Sequence, residues 1–172
     1  MTPQFVSFFF ALLSLLVVAG IVGIIADLAT SGSLGVARTL KPVSLELAAA
    51  IATTCMLGSL YMSEIANYTA CRLCWVQRFF MYPAAIILII AVFTKVAALK
   101  WIALGLASFG IVVSAYHRYD QYIGESGTFC DVNNPCSVRW INEFGFITIP
   151  TMAGIGFAGV ITLILLNTRK VA

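Results

Sequence analysis

Residues 71–94 read CRLCWVQRFFMYPAAIILIIAVFT: a cysteine pair enclosing Arg72 and Leu73, then Arg78, running straight into apolar sequence. The uncharged part, residues 79–94, is 16 residues long, against the roughly 17 to 25 that a membrane-crossing helix needs. Trp75 and Val76 lengthen it. The stems of Arg78 and Lys95 can lie along lipid while their charges reach the headgroups. The stretch predicts a membrane-spanning helix with a dithiol at its mouth.

Four more apolar runs flank it. Residues 5–26 are uncharged, 47–63 lie between Glu46 and Glu64, 101–117 between Lys100 and Arg118, and 144–168 between Glu143 and Arg169. Hydrophobic residues fill 61% of 172 positions and charged residues 10%, far below the about 25% of a soluble domain. The pattern predicts an all-α integral membrane protein of five spans with no separate soluble domain. A net charge of +3 on so apolar a chain does not point to nucleic acid.

The basic residues set topology instead. Five spans place the termini on opposite sides. With a cytoplasmic C-terminus, the inner segments hold Arg38, Lys41, Lys95, Lys100, Arg169 and Lys170, and the outer ones Arg72, Arg78, Arg118 and Arg139. That excess inside predicts an N-out, C-in chain. It also puts both cysteine pairs outside, where disulfides persist. The first run exceeds a signal-peptide core and Met1-Thr-Pro-Gln carries no positive side chain, so it reads as a retained helix.

Residues 118–143 form the one long loop, with turn formers at Gly124, Gly127 and Asn133-Asn134-Pro135. Trp140, Phe144 and Phe146, interleaved with Arg139 and Glu143, suggest a short stretch lying in the membrane interface. Gly105, Gly110, Gly154, Gly156 and Gly159 permit close helix packing.

Thiol–disulfide exchange runs through the thiolate, which a helix N-terminus or a nearby cation stabilises. Cys71, Cys74 and Arg78 are spaced to share one helical face, which makes Cys74, with Arg78 one turn deeper, the best candidate for a stabilised thiolate. Cys130 and Cys136 lie in the long loop among Asp120, Glu125 and Asp131, whose charge disfavours thiolate. One pair fixed at the membrane and one carried on a loop suggest directional electron flow. Two static disulfides stapling outer loops are an alternative, although closing a loop as short as that of Cys71 and Cys74 gains little chain entropy. Zinc is another, but the second spacing is unlike a zinc knuckle. Cys55, in mid-helix, reads as an inert buried thiol. His117, at the outer end of the fourth span, is by itself an ordinary interfacial residue, yet an imidazole there can hydrogen-bond a quinone oxygen and handle a proton.

Cys71-Arg-Leu-Cys74-Trp-Val-Gln-Arg78, with Tyr116-His117, the later Cys130 and Cys136, and Phe144-Gly145-Phe146 leading to Pro150, resembles the disulfide-bond formation protein B family (DsbB, with BdbC as its Gram-positive branch). The likeness covers residues 45–168. It implies a DsbB-type four-helix transmembrane bundle over residues 44–172, with residues 1–43 as an additional N-terminal transmembrane helix and inner loop. It further implies a thiol:quinone oxidoreductase of the bacterial cell membrane that reoxidises an extracytoplasmic thioredoxin-fold oxidase, DsbA- or BdbD-like. In that scheme the partner attacks the Cys130–Cys136 disulfide at Cys130, and Cys136 passes electrons to the Cys71–Cys74 disulfide. Cys74 delivers them to a membrane quinone, menaquinone or ubiquinone, with Arg78 stabilising the charged adduct and His117 contacting the ring. The short Cys130–Cys136 spacing points to the BdbC-like branch. Vitamin K epoxide reductase-like enzymes also couple two cysteine pairs to a quinone, but there the loop pair comes first in the chain. A non-enzymatic scaffold with stapled loops is the remaining alternative.

Overall fold

The computed structural model describes residues 3–30, 33–124, 130 and 135–169. Among these, five helical spans are long and apolar enough to cross a membrane: Gln4–Ala29, Val36–Glu64, Arg72–Thr94, Ala97–Ile123 and Ile149–Thr168. The chain is all-helical and five-span, as its composition predicts. Helix α1 is Pro3–Ala29. The second span has three parts, α2 (Val36–Leu40), a 3-10 turn at Lys41–Val43 and α3 (Ser44–Glu64). Pro42 stands in the opening positions of that turn, where a missing N–H leaves no carbonyl unserved. Helices α4 (Arg72–Thr94), α5 (Ala97–Ile123) and α6 (Ile149–Thr168) complete the chain.

Helices α3, α4, α5 and α6 pack in a ring, each on the next, with α6 returning to α3. Small side chains let them close: Ala48, Ala52, Ala85, Ala103 and Ala107 are buried at the contacts, with Leu88, Phe157 and Ile164 filling between. Lipid supplies no hydrophobic drive between helices, so this close fit is what holds them. Gly110 receives the ring of Phe157, and a Cβ on Gly156 would come within 2.6 Å of Cys55 Sγ. Gly105 has open space beside it, so the packing role expected of it is not found.

Helix α1 lies outside the ring, along α6. It runs past Ala26 because Asp27 is buried and served. Its carboxylate accepts N–H bonds from Leu34 (2.8 Å), Gly35 (2.9 Å) and Ala37 (2.7 Å), which removes the cost of burying a lone charge.

Other ends also depart from the charge-bounded runs. Helix α5 continues past His117 to Ile123, because His117, Asp120 and Gln121 share a buried face and the left-handed Gly124 stops it. Arg118 and Asp120 are therefore helical rather than loop residues. Helix α6 starts at Ile149. Ahead of it, Glu143 and Ile147 exchange two backbone hydrogen bonds of 2.9 Å around a turn with Phe144 and Gly145 at positive φ. The stretch expected to lie in the interface is this turn, with Phe144 and Phe146 exposed. Glu125, Gly127, Asp131, Asn133, Asn134 and Lys170 lie outside the described residues.

Candidate active site

Cys71 is the N-cap of α4, with extended backbone geometry, and its sulfur accepts the N–H of Cys74 at 3.4 Å. The same turn sets the two sulfurs 2.9 Å apart, both as free thiols. Cys71 is buried and Cys74 half-buried. From α5, His117 reaches into the same place, 2% exposed. Its Nε2 lies 3.7 Å from Cys71 Sγ and 3.2 Å from the carbonyl of Cys136. The carbonyl can only accept, so Nε2 carries the proton in that bond.

Cys136 is bonded to Cys130, and these two pack with Cys71, Cys74, Leu73 and Val113 in one apolar cluster. Besides the His117–Cys136 bond, two more hold the returning loop on α5: Gln121 Nε2 donates to the Val138 carbonyl at 3.2 Å, and Arg139 to the Gln121 carbonyl at 2.6 Å. Trp140 stacks on Tyr68, ring centroids 5.3 Å apart. The structure thus brings all four predicted cysteines and His117 together.

Cys71, outside the span itself, is the thiol held well below its ordinary pKa. The hydrogen bond from Cys74 is the main cause, with that from His117 behind it, and burial opposes both. The spacing of Cys71, Cys74 and Arg78 predicts the thiolate at Cys74. The N-cap position and the phase of α5 favour Cys71 instead.

Arg78 faces elsewhere. Its Nε donates to Ser59 Oγ at 2.9 Å, its Nη2 to the Ser59 carbonyl at 3.1 Å, and its guanidinium sits 5.0 Å from the centre of the Trp75 ring. Arg78 and Cys74 both line a cavity of about 710 Å³ between α1, α3, α4 and α6. Ser59, Gln77, Tyr82, Tyr68 and Thr69 also line it, Ser14, Thr54 and Thr162 add hydroxyls, and the rest of the wall is mainly apolar. His117 lines a different, much smaller space of about 20 Å³, shared with Cys71, Cys74 and Cys136. Cys74 borders both. The expected trio of Cys74, Arg78 and His117 does not line a single wall: Arg78 is on one side of the cysteine pair and His117 on the other.

Sequence reasoning missed Ser59 and Gln77, which are ordinary polar residues in apolar runs. Gln77 is buried and donates to Ser114 Oγ at 3.2 Å. Of the acidic neighbours expected around the second pair, Asp120 lies 3.9 Å from Cys130 Sγ. Ligand atoms of Cys71, Cys74 and His117 lie within 4.8 Å of one another, a spacing that also suits a thiophilic cation. Cys130 and Cys136, bonded to each other, offer no thiolate to it.

A multi-pass helical bundle that gathers two cysteine pairs and an imidazole at one end is a membrane thiol–disulfide protein. A family model described as Disulfide bond formation protein DsbB matches residues 41–167, and the chain belongs to that family. Membership makes it a disulfide-generating oxidoreductase of the membrane. It is 46% identical over 109 residues to Disulfide bond formation protein C of Bacillus subtilis, covering 62% of this chain and 79% of that one. A probable disulfide formation protein of Oceanobacillus iheyensis is 40% identical over 116 residues, 66% of this chain and 80% of the relative. Probable disulfide formation protein C 2 of Bacillus anthracis is 35% identical over 132 residues, 76% and 94% of the two chains. No solved structure gives a match. Helices α3 to α5 and all of α6 but Thr168 fall inside the family match; α1 and α2 precede it.

Proposed function

We propose that the chain is a thiol:quinone oxidoreductase. It reoxidises an extracytoplasmic thioredoxin-fold dithiol oxidase and delivers the electrons to a membrane quinone, menaquinone or ubiquinone. The observation that carries this reading is the position of Cys74, which borders both the buried cysteine cluster and the large cavity.

The relay balances as follows. A partner thiolate attacks Cys130, Cys136 leaves, and the partner's second thiol closes its own disulfide, leaving Cys130 and Cys136 reduced. Cys136 then attacks Cys71, and Cys74 leaves as a thiolate facing the cavity beside Arg78. Cys130 closes back on Cys136 and releases Cys71. His117 and Cys74 stabilise that leaving thiolate, which is what a low-pKa leaving group needs. The pairing in the structure, with Cys130–Cys136 bonded and Cys71 and Cys74 as thiols, corresponds to this last state.

The cavity fits a quinone. Its volume lies in the roughly 300–1,000 Å³ range of ligand sites, with few polar groups set in an apolar wall. Cys74, Arg78 and Ser59 would hold the headgroup, and Arg78 supplies a cation where negative charge develops. A bound quinone supplies a two-electron, two-proton acceptor. Lys41, Lys95 and Lys100 mark the opposite end of the bundle from the cysteines, which supports an extracytoplasmic site in the bacterial cell membrane.

The test is direct. Purified protein is mixed with a reduced thioredoxin-fold donor and either a benzoquinone or a naphthoquinone, while quinone absorbance and donor thiols are followed together. One quinone consumed per donor dithiol oxidised is the expected result; no turnover with either ring class sinks the proposal.

A further inference from the structure

Helix α1 lies outside the matched family segment, yet one face of it belongs to the cavity. Phe10, Leu13, Val17, Gly20, Ile21 and Ile24 all line that space. Their spacing of three and four residues is a single helical stripe. The opposite side of α1 is exposed at Phe8, Leu15 and Val22. From Phe10 to Ile24 the stripe runs about 21 Å at 1.5 Å per residue, so it spans most of a hydrocarbon core.

The helix is fastened along that length. A Cβ on Gly58 of α3 would come within 2.8 Å of the Phe10 ring, and one on Gly159 of α6 within 2.7 Å of Val17. Phe10 and Val17 therefore sit where only glycine leaves room, one on each side of the cavity. Ser7 donates to Glu143 Oε1 at 2.7 Å and Phe8 meets Phe144, centroids 5.7 Å apart, at one end. Asp27 fixes the other end. Without this helix, the space between α3, α4 and α6 is a groove open on the side α1 now covers. With it, the groove becomes a mainly apolar slot whose one charged lining residue, Arg78, lies with Cys74.

We infer that α1 is the closing wall of the acceptor site: it encloses the isoprenoid tail of the quinone, and its inward stripe determines how tightly long tails are held. This rests on the thiol:quinone reading and adds a tail-specificity element to it. The headgroup is held at Cys74 and Arg78. The tail lies beyond, along Val17, Gly20 and Ile24.

Gly20 offers the cleanest probe, because a Cβ there meets nothing within 4 Å. Gly20→Leu is compared with wild type using naphthoquinones carrying one isoprenoid unit or many. Two quantities are read: KM, and the long-tailed quinone retained by protein purified from lipid, quantified after extraction. The expected result is a rise of about tenfold in KM for the long tail. Retained quinone falls in step, while KM for the one-unit analogue and the melting temperature stay close to wild type. Ser14→Leu, on the same cavity wall, should act alike and covers the case in which Gly20→Leu misfolds. Unchanged retention, or equal weakening of both tail lengths, overturns the wall. Wild-type protein that neither retains nor reduces any quinone sinks the functional reading itself, and the wall with it.

Discussion

The two sides of the Cys71–Cys74 pair are unlike. On one side, Cys71 meets His117 and Cys136 in a space of about 20 Å³, closed by Gln121, Trp140 and Pro150. On the other, Cys74 opens with Arg78 onto about 710 Å³ of mostly apolar cavity. The first side suits transfer between sulfurs, which need contact and a stabilised leaving thiolate but no room. The second suits a bulky apolar acceptor. Three residues of a single helical turn thus separate two kinds of chemistry, and the dithiol itself is the partition between them.

Removing the group common to both sides should have the largest effect. Cys74→Ser is expected to lower quinone reduction by about a thousandfold or more while still permitting a mixed disulfide with the partner, seen on a non-reducing gel. Near-normal turnover would remove Cys74 from the relay. Arg78→Ala acts on the cavity side alone. It should slow quinone reduction about a hundredfold and leave single-turnover exchange with the donor within about threefold. Equal losses in both steps would mark Arg78 as structural.

His117→Ala is the counterpart on the other side. Cys71, with its pKa lowered, stays a thiolate as pH falls through the ordinary thiol range near 8.5 and is protonated only below it. Loss of the His117 donor raises that pKa, so alkylation of Cys71 should fade at higher pH than in wild type and donor exchange should slow about tenfold. Alkylation profiles that superimpose would break the assignment. Ser59→Ala should be mildest. It frees Arg78 and slows the cavity-side step about threefold to fivefold, with no change in Cys71 alkylation; a shift in Cys71 would show that the two sides communicate.

Much of this was legible in residue order. Five apolar runs bounded by charges give five spans, and a cysteine pair at a helix mouth followed by Arg78 gives the redox centre. Helix ends were less legible, because a charged residue bounds an apolar run without ending a helix. His117, Asp120 and Gln121 are polar yet helical, since the loop carrying Cys136 covers them. The rotation of α5 was not legible either. Whether His117 faces the cavity or Cys71 depends on packing at Ser114, Gly110 and Ala107, not on its position in the chain. Arg78 was readable as a cation near sulfur, but its anchor on Ser59 arises only when α3 and α4 pair. The cavity is not legible in residue order, because four helices build it, one of them outside the family pattern.

The buried carboxylate of Asp27 has a consequence for how the chain assembles. On α1 alone, that group would stand at the end of the span with none of the three amide donors that later satisfy it. The donors arrive only with residues 34–37, so the end of α1 is complete only once the chain has turned into α2.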